Sequence, residues 1–335
     1  MYATSSGVYV SETVHPNIRG KLVIVSPCLL ACGYLTDWTL GYFLTWRTVA
    51  YASILPCVIT MLILGYCPET PYWLIENDQY DKAQESLKFF RGSKVNVIPE
   101  LNEIRNKHLS KEQDINCSAK VKLFFSKSFL KPFSCVGIIS MLWPLTGFDI
   151  ITMYMVSILE ESGSSIDPGL CVIFAGIVRL ISSTVSAFIY KHIPPKLMYV
   201  SAQFTAAVCM ALIGLFAYLK DSYDLNGFAW IPLVAILLTL ISRGIGTLPV
   251  IFTLINEIFP TEIRTQSYGI TQTISLLVTS ITLVLYPTLK NTFGFHGLCI
   301  FYSAIGILSS IWGAVTIPDN RGKSLVKVEE SYEKK

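Results

Sequence analysis

Long apolar stretches separated by short polar connections make up most of this sequence. About eight of them reach the roughly 20 apolar residues that a helix needs to cross the hydrocarbon core of a bilayer. They cover 22–40, 47–66, 132–157, 168–190, 197–218, 229–255, 268–289 and 294–316. Because a helix satisfies its backbone hydrogen bonds internally, the pattern predicts an all-α, polytopic membrane protein.

A longer polar segment, 68–131, lies between the second and third of these stretches. Within it Ala83, Leu87 and Phe90 recur at the spacing of one helix face, and a second short helix is predicted near 99–109. Neither helix is long or apolar enough to span a bilayer. We therefore predict that this segment is a helical linker outside the membrane.

Two short polar motifs occur twice, in the same order. Glu12 and Arg19 recur as Glu257 and Arg264 with the same spacing, and an Ile precedes the Arg in both copies. A Pro-Glu-Thr motif that follows the first copy is matched by Pro-Asp-Asn after the second, at nearly the same offset. Two matches at similar offsets indicate a duplicated unit, as transporter folds often have.

The two copies differ in what precedes them. In the second half, four apolar stretches, 132–157 to 229–255, come before the second copy, whereas none comes before the first, so symmetry predicts about four further helices upstream of Met1. The full protein would then have two six-helix halves. The predicted organisation is the end of the N-terminal half at 1–67, a cytoplasmic helical linker at 68–131, the C-terminal half at 132–317 and a cytoplasmic tail at 318–335.

Composition and charge agree with a membrane protein. Hydrophobic residues make up 52% of the sequence and charged residues 15%, against about 25% charged in typical soluble domains. Lys and Arg concentrate in 68–131 and in the tail, so the positive-inside rule places that segment and both termini in the cytoplasm. The expected location is multi-pass in the plasma membrane.

Enzyme and metal signatures are lacking. The nine cysteines fall mostly in apolar stretches, and none forms the Cys-x-x-Cys spacing of a metal site. No GxSxG, Walker A or HExxH motif is present, so the sequence predicts neither an enzyme nor a nucleotide-driven pump. No cofactor and no nucleic-acid partner are expected. The expected partners are the lipid bilayer and a small solute.

Several motifs together resemble a known family. They are Tyr9-Val10-Ser11-Glu12 with Arg19-Gly20, Trp46-Arg47, Pro68-Glu69-Thr70-Pro71, Gly147 with its flanks, Asn256-Glu257-Ile258-Phe259-Pro260 with Arg264, and Gly322-Lys323-Ser324-Leu325. On these residues the chain is similar to the sugar porters of the major facilitator superfamily, and within them to insect facilitated trehalose transporters. The resemblance implies a major facilitator fold lacking about its first four transmembrane helices.

The resemblance also implies a function, namely facilitated diffusion of a sugar or polyol by alternating access. It assigns a conformational switch to charged residues at the cytoplasmic ends of helices, Glu12, Arg19, Glu69, Glu257 and Arg264. These ion pairs would hold the cytoplasmic side closed and would break when the transporter opens inward. A partly hydrated pair contributes no more than ~1 kcal/mol, which suits a switch between two states of similar energy.

The positions that would bind sugar hydroxyls depart from the family pattern. Where the family has Gln-Gln-Leu-Ser-Gly-Ile-Asn in the seventh helix, residues 143–149 are Trp-Pro-Leu-Thr-Gly-Phe-Asp, so Asp149 replaces the Asn. Arg179 replaces an Asn or Gln in the eighth helix, and Phe252 replaces a Trp in the tenth. The chain thus keeps the structural motifs of the family, whereas most of the residues that would bind a hexose are replaced.

The candidate solute contacts are Thr146, Asp149, Tyr154, Arg179, Arg243 and Phe252. A charge at mid-membrane costs at least ~2.5–3.5 kcal/mol, so the three charged members should face the bundle interior or water. We predict that Asp149 and Arg179 form an ion pair, since each charge then compensates the other. The alternative is that both contact a charged solute or a coupling proton.

Three functional interpretations stay open at this stage. The first is a facilitative carrier of a sugar or polyol. The second is a non-transporting sensor or regulatory relative, which the lost amide positions favour and the intact Glu–Arg pairs disfavour. The third is a carrier of an anionic or proton-coupled solute that uses Arg179 and Asp149. Uptake of sugars, and its dependence on external pH, would distinguish them.

Overall fold

The computed structural model describes most of the chain between Tyr9 and Ile317. The residues described are 9, 13–14, 16–92, 96–114, 127–162, 167–190, 192–220, 222–223, 226–251, 254 and 264–317. Within these ranges the regular secondary structure is entirely helical. The all-α prediction is therefore confirmed for the described part of the chain.

The helices are numbered here in chain order. They are α1 Pro16–Phe43, α2 Trp46–Ala52, α3 Ile54–Tyr66, α4 Pro71–Glu76, α5 Tyr80–Arg91, α6 Ile98–Asp114, α7 Lys127–Leu145, α8 Phe148–Ser162, α9 Pro168–Ile189, α10 Pro195–Lys220, α11 Ile231–Ser242 and α12 Arg264–Thr316. A 3-10 turn, Asn226–Phe228, precedes α11, and a π-helical segment, Arg243–Thr247, follows it directly.

In the described part of the chain, six helical segments are long and apolar enough to cross a membrane. They are Trp46–Tyr66, Phe133–Glu160, Pro168–Ser186, Pro195–Lys220, Ile231–Ile251 and Gln266–Thr316. The last is long enough for the two spans predicted at 268–289 and 294–316, and Gly294 interrupts it with a positive φ of 71°. The remaining predicted span, 22–40, lies within α1. Seven of the eight predicted spans thus fall in segments that are long and apolar enough to cross a membrane, and the eighth, 22–40, is helical.

Local sequence signals set where two of the helices begin. Asp167 accepts a hydrogen bond from the Gly169 N–H at 2.8 Å, and Pro168 occupies the first turn of α9. In the same way Thr70 caps α4, because its hydroxyl accepts from the Trp73 N–H at 3.2 Å. A capping side chain followed by Pro satisfies one free N–H, while the Pro ring removes another.

The chain divides into two compact units. One comprises Met1–Ser26 with Phe43–Phe124, and the other comprises Pro27–Tyr42 with Phe125–Lys335. The first unit contains the linker helices α4, α5 and α6, which share a small apolar core made of Leu74, Ile75, Ala83, Leu87, Val97 and Ile104. The predicted linker helices are therefore present, while the domain boundaries expected from the sequence stay a prediction.

Polar contacts in the first unit tie the linker to residues before α1. Arg91 pairs with Glu100 at 2.7 Å, and its Nη1 donates to the Thr13 carbonyl oxygen at 2.8 Å. The Tyr9 hydroxyl donates to the Pro68 carbonyl oxygen at 2.8 Å. Burial raises the pKa of Tyr9 to about 12, so this hydroxyl stays protonated at physiological pH.

The second unit is built around α10 and α12, which pack against each other, while α12 also packs on α7 and α11 packs on α9 and α10. A buried polar triad joins α10 to α12. The Tyr199 hydroxyl and Ser309 Oγ lie 2.7 Å apart, and Gln203 Nε2 donates to both oxygens at 3.1 Å. All three side chains are fully buried, so the triad satisfies donors that lipid could not.

Candidate functional site

A break between α7 and α8 forms the centre of the candidate site. Helix α7 ends at Leu145, and Gly147 has a φ of +78° before α8 begins at Phe148. A Cβ atom at Gly147 would lie 2.7 Å from a ring carbon of Tyr302 and 2.9 Å from the end of Met210. Only glycine fits both the conformation and the space, so the sequence places the break here.

Arg243 approaches this break from the π-helical segment that follows α11. The side chain is 1% exposed, its Nη2 donates to Thr146 Oγ1, and its guanidinium carbon lies 4.7 Å from the centre of the Phe148 ring. The Thr146 hydroxyl donates in turn to the Trp143 carbonyl oxygen at 2.6 Å. Single π-turns in helices occur frequently at functional sites.

Arg179 reaches the same region from α9. It is 7% exposed, and its guanidinium carbon lies 3.8 Å from the centre of the Tyr34 ring and 5.5 Å from the centre of the Phe148 ring. Stacking on aromatic faces offsets part of the cost of burying the charge. Both arginines therefore flank Phe148, the first residue of α8.

Asp149 follows Phe148 and is half-buried. One of its carboxylate oxygens accepts a hydrogen bond from Thr279 Oγ1 on α12 at 3.4 Å. Asp149 follows Phe148 directly in the chain, and both guanidinium carbons lie within 5.5 Å of the centre of the Phe148 ring. The site thus combines one carboxylate, two guanidinium groups and two hydroxyls.

The predicted ion pair between Asp149 and Arg179 is wrong. Both side chains belong to the described part of the chain, and no salt bridge joins them there. Arg179 instead stacks on Tyr34, and Asp149 bonds to Thr279. The physical reason is that a buried guanidinium can rest on an aromatic face, so a direct carboxylate contact is not required.

The other predicted residues lie away from this cluster or outside the description. Tyr154 has a non-helical backbone (φ −111°, ψ 19°), and its ring centre is 4.4 Å from that of Tyr286. Glu69 is exposed, and its carbonyl oxygen accepts from Ser86 Oγ at 2.6 Å. Outside the description lie the residues Glu12, Phe252 and Glu257 and the side chains of Arg19 and Arg264.

A small apolar cavity of about 10 Å³ lies in the core of the second unit. Its lining is aliphatic or aromatic apart from the sulfur atoms of Met210 and Cys299, and it includes Ile150 and Ile151, which come directly after Asp149. Such a lining offers few partners to a solute rich in hydroxyl groups. The polar cluster, rather than this cavity, is therefore the candidate solute site.

Three residues of the cluster were missed by sequence reasoning. Thr279 is one of several Thr residues in its apolar stretch, so nothing in the sequence distinguishes it. Tyr34 is distant in sequence from Arg179, and only the packing of α1 brings them together. Phe148 could have been suspected, because it lies within the motif that contains Gly147 and Asp149.

Proteins similar in sequence to this chain include insect transporters. The chain is 27% identical over 326 residues to the facilitated trehalose transporter Tret1 of Apis mellifera ligustica, which covers 97% of this chain and 64% of that protein. It is 27% identical over 323 residues to Tret1 of Anopheles gambiae, covering 96% of this chain and 41% of that protein. The chain thus spans less than two thirds of the length of these relatives.

Similar solved structures are those of a bacterial sugar transporter. The inward-open xylose transporter XylE from E. coli superposes with a TM-score of 0.75 at 19% identity, over 97% of this chain and 68% of that chain. The major facilitator proton:xylose symporter XylE bound to 6-bromo-6-deoxy-D-glucose gives 0.73, over 98% and 70%. At this identity the likeness shows the fold, and it confirms the predicted major facilitator class.

A family model described as sugar (and other) transporter matches residues 2–332. The match covers almost the whole chain, including both units and the linker helices. It also agrees with the prediction that the chain is not an enzyme, because the family and the relatives are transporters. This multi-pass, all-α membrane protein therefore belongs to the sugar (and other) transporter family.

Proposed function

We propose that the chain serves transport of a small polyhydroxylated solute, such as a sugar, by facilitated diffusion with alternating access. The observation that carries this proposal is the family match over residues 2–332. The relatives named as facilitated trehalose transporters support it, because they align along 96–97% of this chain. Trehalose and hexoses are the first solutes to test.

The geometry of the helix break supports the same function. Transporters commonly bind their substrates where a membrane helix is discontinuous, because polar backbone and side-chain groups are available there. Thr146 and Thr279 offer hydroxyls at this place, and Asp149 offers a carboxylate that can accept from a solute hydroxyl. Polar groups in a bilayer are costly, so their grouping favours a functional role over incidental packing.

The orientation and location are part of the proposal. The basic segment 68–131 and both termini would face the cytoplasm, and the membrane would be the plasma membrane. The switch residues Glu12, Arg19, Glu69, Glu257 and Arg264 would hold the cytoplasmic side closed in the outward-facing state. This assignment rests on the repeated Glu–Arg spacing and on the resemblance.

Uptake of radiolabelled sugars tests the proposal. The chain is expressed in oocytes in two forms, alone and preceded by the four helices that the internal repeat predicts, supplied by the Apis mellifera ligustica relative. We expect saturable uptake of at least one neutral or acidic sugar by one of these forms. Uptake no greater than in uninjected oocytes, with both forms present at the cell surface, would contradict the proposal.

A pair of matched variants on α12 connects uptake to the site. Thr279→Val removes the hydroxyl that donates to Asp149, whereas Thr273→Val changes an exposed hydroxyl that bonds only to the Gly269 carbonyl of its own helix. Because the Thr279 hydroxyl is one of the groups proposed to bind the solute, loss of one solute hydrogen bond of about 1 kcal/mol predicts a KM about 5-fold higher for Thr279→Val. Thr273→Val should leave KM unchanged.

A further inference from the structure

The site at the helix break carries an excess of positive charge. Away from the ends of the candidate membrane spans and from the Gly294 break, the described charged residues are Asp149, Arg179 and Arg243. One carboxylate therefore faces two guanidinium groups. An uncompensated charge in a low-dielectric site is strongly unfavourable, so this arrangement calls for one more negative charge.

The two arginines also have hydrogen-bond donors without partners. Nε and Nη1 of Arg243 and Nη1 of Arg179 are buried, and none has a partner among the residues that the structure describes. A guanidinium group has five N–H donors and no acceptor, so only an acceptor can satisfy them. Stacking on Tyr34 and Phe148 engages the faces of these groups and leaves their in-plane donors available.

The unpaired donors of Arg179 and Arg243 lie near the same aromatic ring, that of Phe148. Each guanidinium carbon lies close to the Phe148 ring, at 4.7 Å for Arg243 and 5.5 Å for Arg179, so the two groups are no farther apart than these distances combined. Phe148 begins α8, a helix of 15 residues, and the free N–H groups of a helix start add partial positive charge. The electrostatic environment therefore favours an anion.

We propose that this site binds the acid group of a sugar acid, such as a hexuronate or an aldonate. The carboxylate of the solute lies between Arg179 and Arg243, and its hydroxyls bond to Thr146, Thr279 and Asp149. This inference rests on the proposed function, because it names the chemical class of the polyhydroxylated solute. A carboxylate can accept two hydrogen bonds from one guanidinium, which matches the unsatisfied donors.

Asp149 has a defined role in this arrangement. Among the described residues of the candidate membrane spans, it is the one carboxylate away from the span ends, so it competes with an anionic solute for the two arginines. Its substitution by Asn keeps a group that bonds to hydroxyls while removing the competing charge. Asp149→Asn should therefore bind an anionic solute more tightly, whereas a merely structural carboxylate would give unchanged or weaker binding.

Binding to the purified full chain in lipid nanodiscs tests the inference. Trp143 lies at the break and is one of six tryptophans, so the ligand-dependent change in fluorescence is compared between the chain and its Trp143→Phe variant. The ligands are D-glucuronate, D-glucose, trehalose, acetate and chloride, each titrated at constant ionic strength. We expect saturable binding of D-glucuronate at least 10-fold tighter than binding of D-glucose, acetate or chloride.

The arginine variants are compared with a matched control outside the site. Arg243→Gln and Arg179→Gln should each weaken D-glucuronate binding about 10- to 100-fold, since a hydrogen bond to a charged group contributes about 1.5–3 kcal/mol. The control is Arg105→Gln, because Arg105 also stacks on a tyrosine, Tyr80, at 4.6 Å. It should leave binding unchanged. Two separate arginines keep the test valid if one variant does not fold.

The outcomes separate this inference from the proposed function. Binding of D-glucose or trehalose without D-glucuronate would overturn the acid-solute inference and leave the proposed function standing. Acetate or chloride binding as tightly as D-glucuronate would show a plain anion site and would overturn the inference. Binding of no sugar, neutral or acidic, by the folded chain would also overturn the inference, whereas the proposed function is contradicted only when both forms fail to take up sugar. D-glucuronate affinity unaffected by either arginine substitution would overturn the inference.

Discussion

Gly147→Ala should destabilise the second unit because two independent effects oppose a side chain at this position. The backbone has a φ of +78°, where a residue with a Cβ costs roughly 1–2 kcal/mol. The added carbon would lie 2.7 Å from Tyr302 and 2.9 Å from Met210, and overpacking of this kind costs about 1–3 kcal/mol. We expect a total loss of about 2–4 kcal/mol, since either neighbour can shift a little.

Thermal unfolding of the purified chain in detergent measures this loss. The matched control is Gly269→Ala, because a Cβ at Gly269 meets nothing within 4 Å and the residue lies inside the helix α12. That substitution should raise stability by about 0.4–1 kcal/mol by restricting the unfolded chain. The two variants should therefore move the melting temperature in opposite directions. Equal melting temperatures would refute the reasoning that Gly147 is required at the break.

Two further predictions concern other parts of the chain. Ser309→Ala removes one member of the buried polar triad and leaves its hydrogen-bond donors unsatisfied, so it should lower stability by about 1–3 kcal/mol. Ser280→Ala removes an exposed hydroxyl that bonds within its own helix and should lower stability much less. Thermal unfolding measures both changes. Arg264→Glu should shift the transporter towards the inward-facing state, which increased labelling of a cysteine introduced at Thr265 would show. Unchanged labelling both in this variant and in Arg19→Glu would refute the proposed switch.

The sequence was most informative where the membrane environment restricts which residues are allowed. Apolar stretches of fixed length predicted the spans because hydrocarbon thickness sets their length. Asp149, Arg179 and Arg243 stood out for a related reason, since charges are costly inside such stretches. The structure groups them near one helix break without the predicted pairing of Asp149 with Arg179, and their role in solute binding stays a prediction.

Partners across helices could not be predicted in the same way. Whether Arg179 meets a carboxylate or an aromatic face depends on the rotation of α9 against α1, and no single-sequence pattern encodes that angle. The contact of Thr279 with Asp149 similarly depends on how α12 packs beside α8. The lipid-facing and protein-facing sides of a membrane helix are both apolar. Hydropathy therefore does not indicate how the helix is rotated or which of its residues contacts a neighbour.

Close packing fixes the position of one charged residue. A Cβ at Gly244 would lie 2.8 Å from Ser182 Cβ on α9, and a Cβ at Gly246 would lie 2.5 Å from Ala202 Cβ on α10. The π-helical segment therefore approaches both helices as closely as glycine allows. Because Arg243 begins this segment, its backbone is held firmly against α9 and α10, and glycine is required for that contact.

Asp149 belongs to a part of the backbone with different constraints. It lies between two interruptions of regular helix geometry, the positive φ at Gly147 and the non-helical backbone of Tyr154. Such positions can absorb changes in φ and ψ that a continuous helix cannot. Phe148, Ile150 and Ile151 within this segment are nevertheless buried in the core of the second unit. Asp149 is therefore held by the packing of its neighbours, whereas Arg243 is held by the close approach of glycine backbone to α9 and α10.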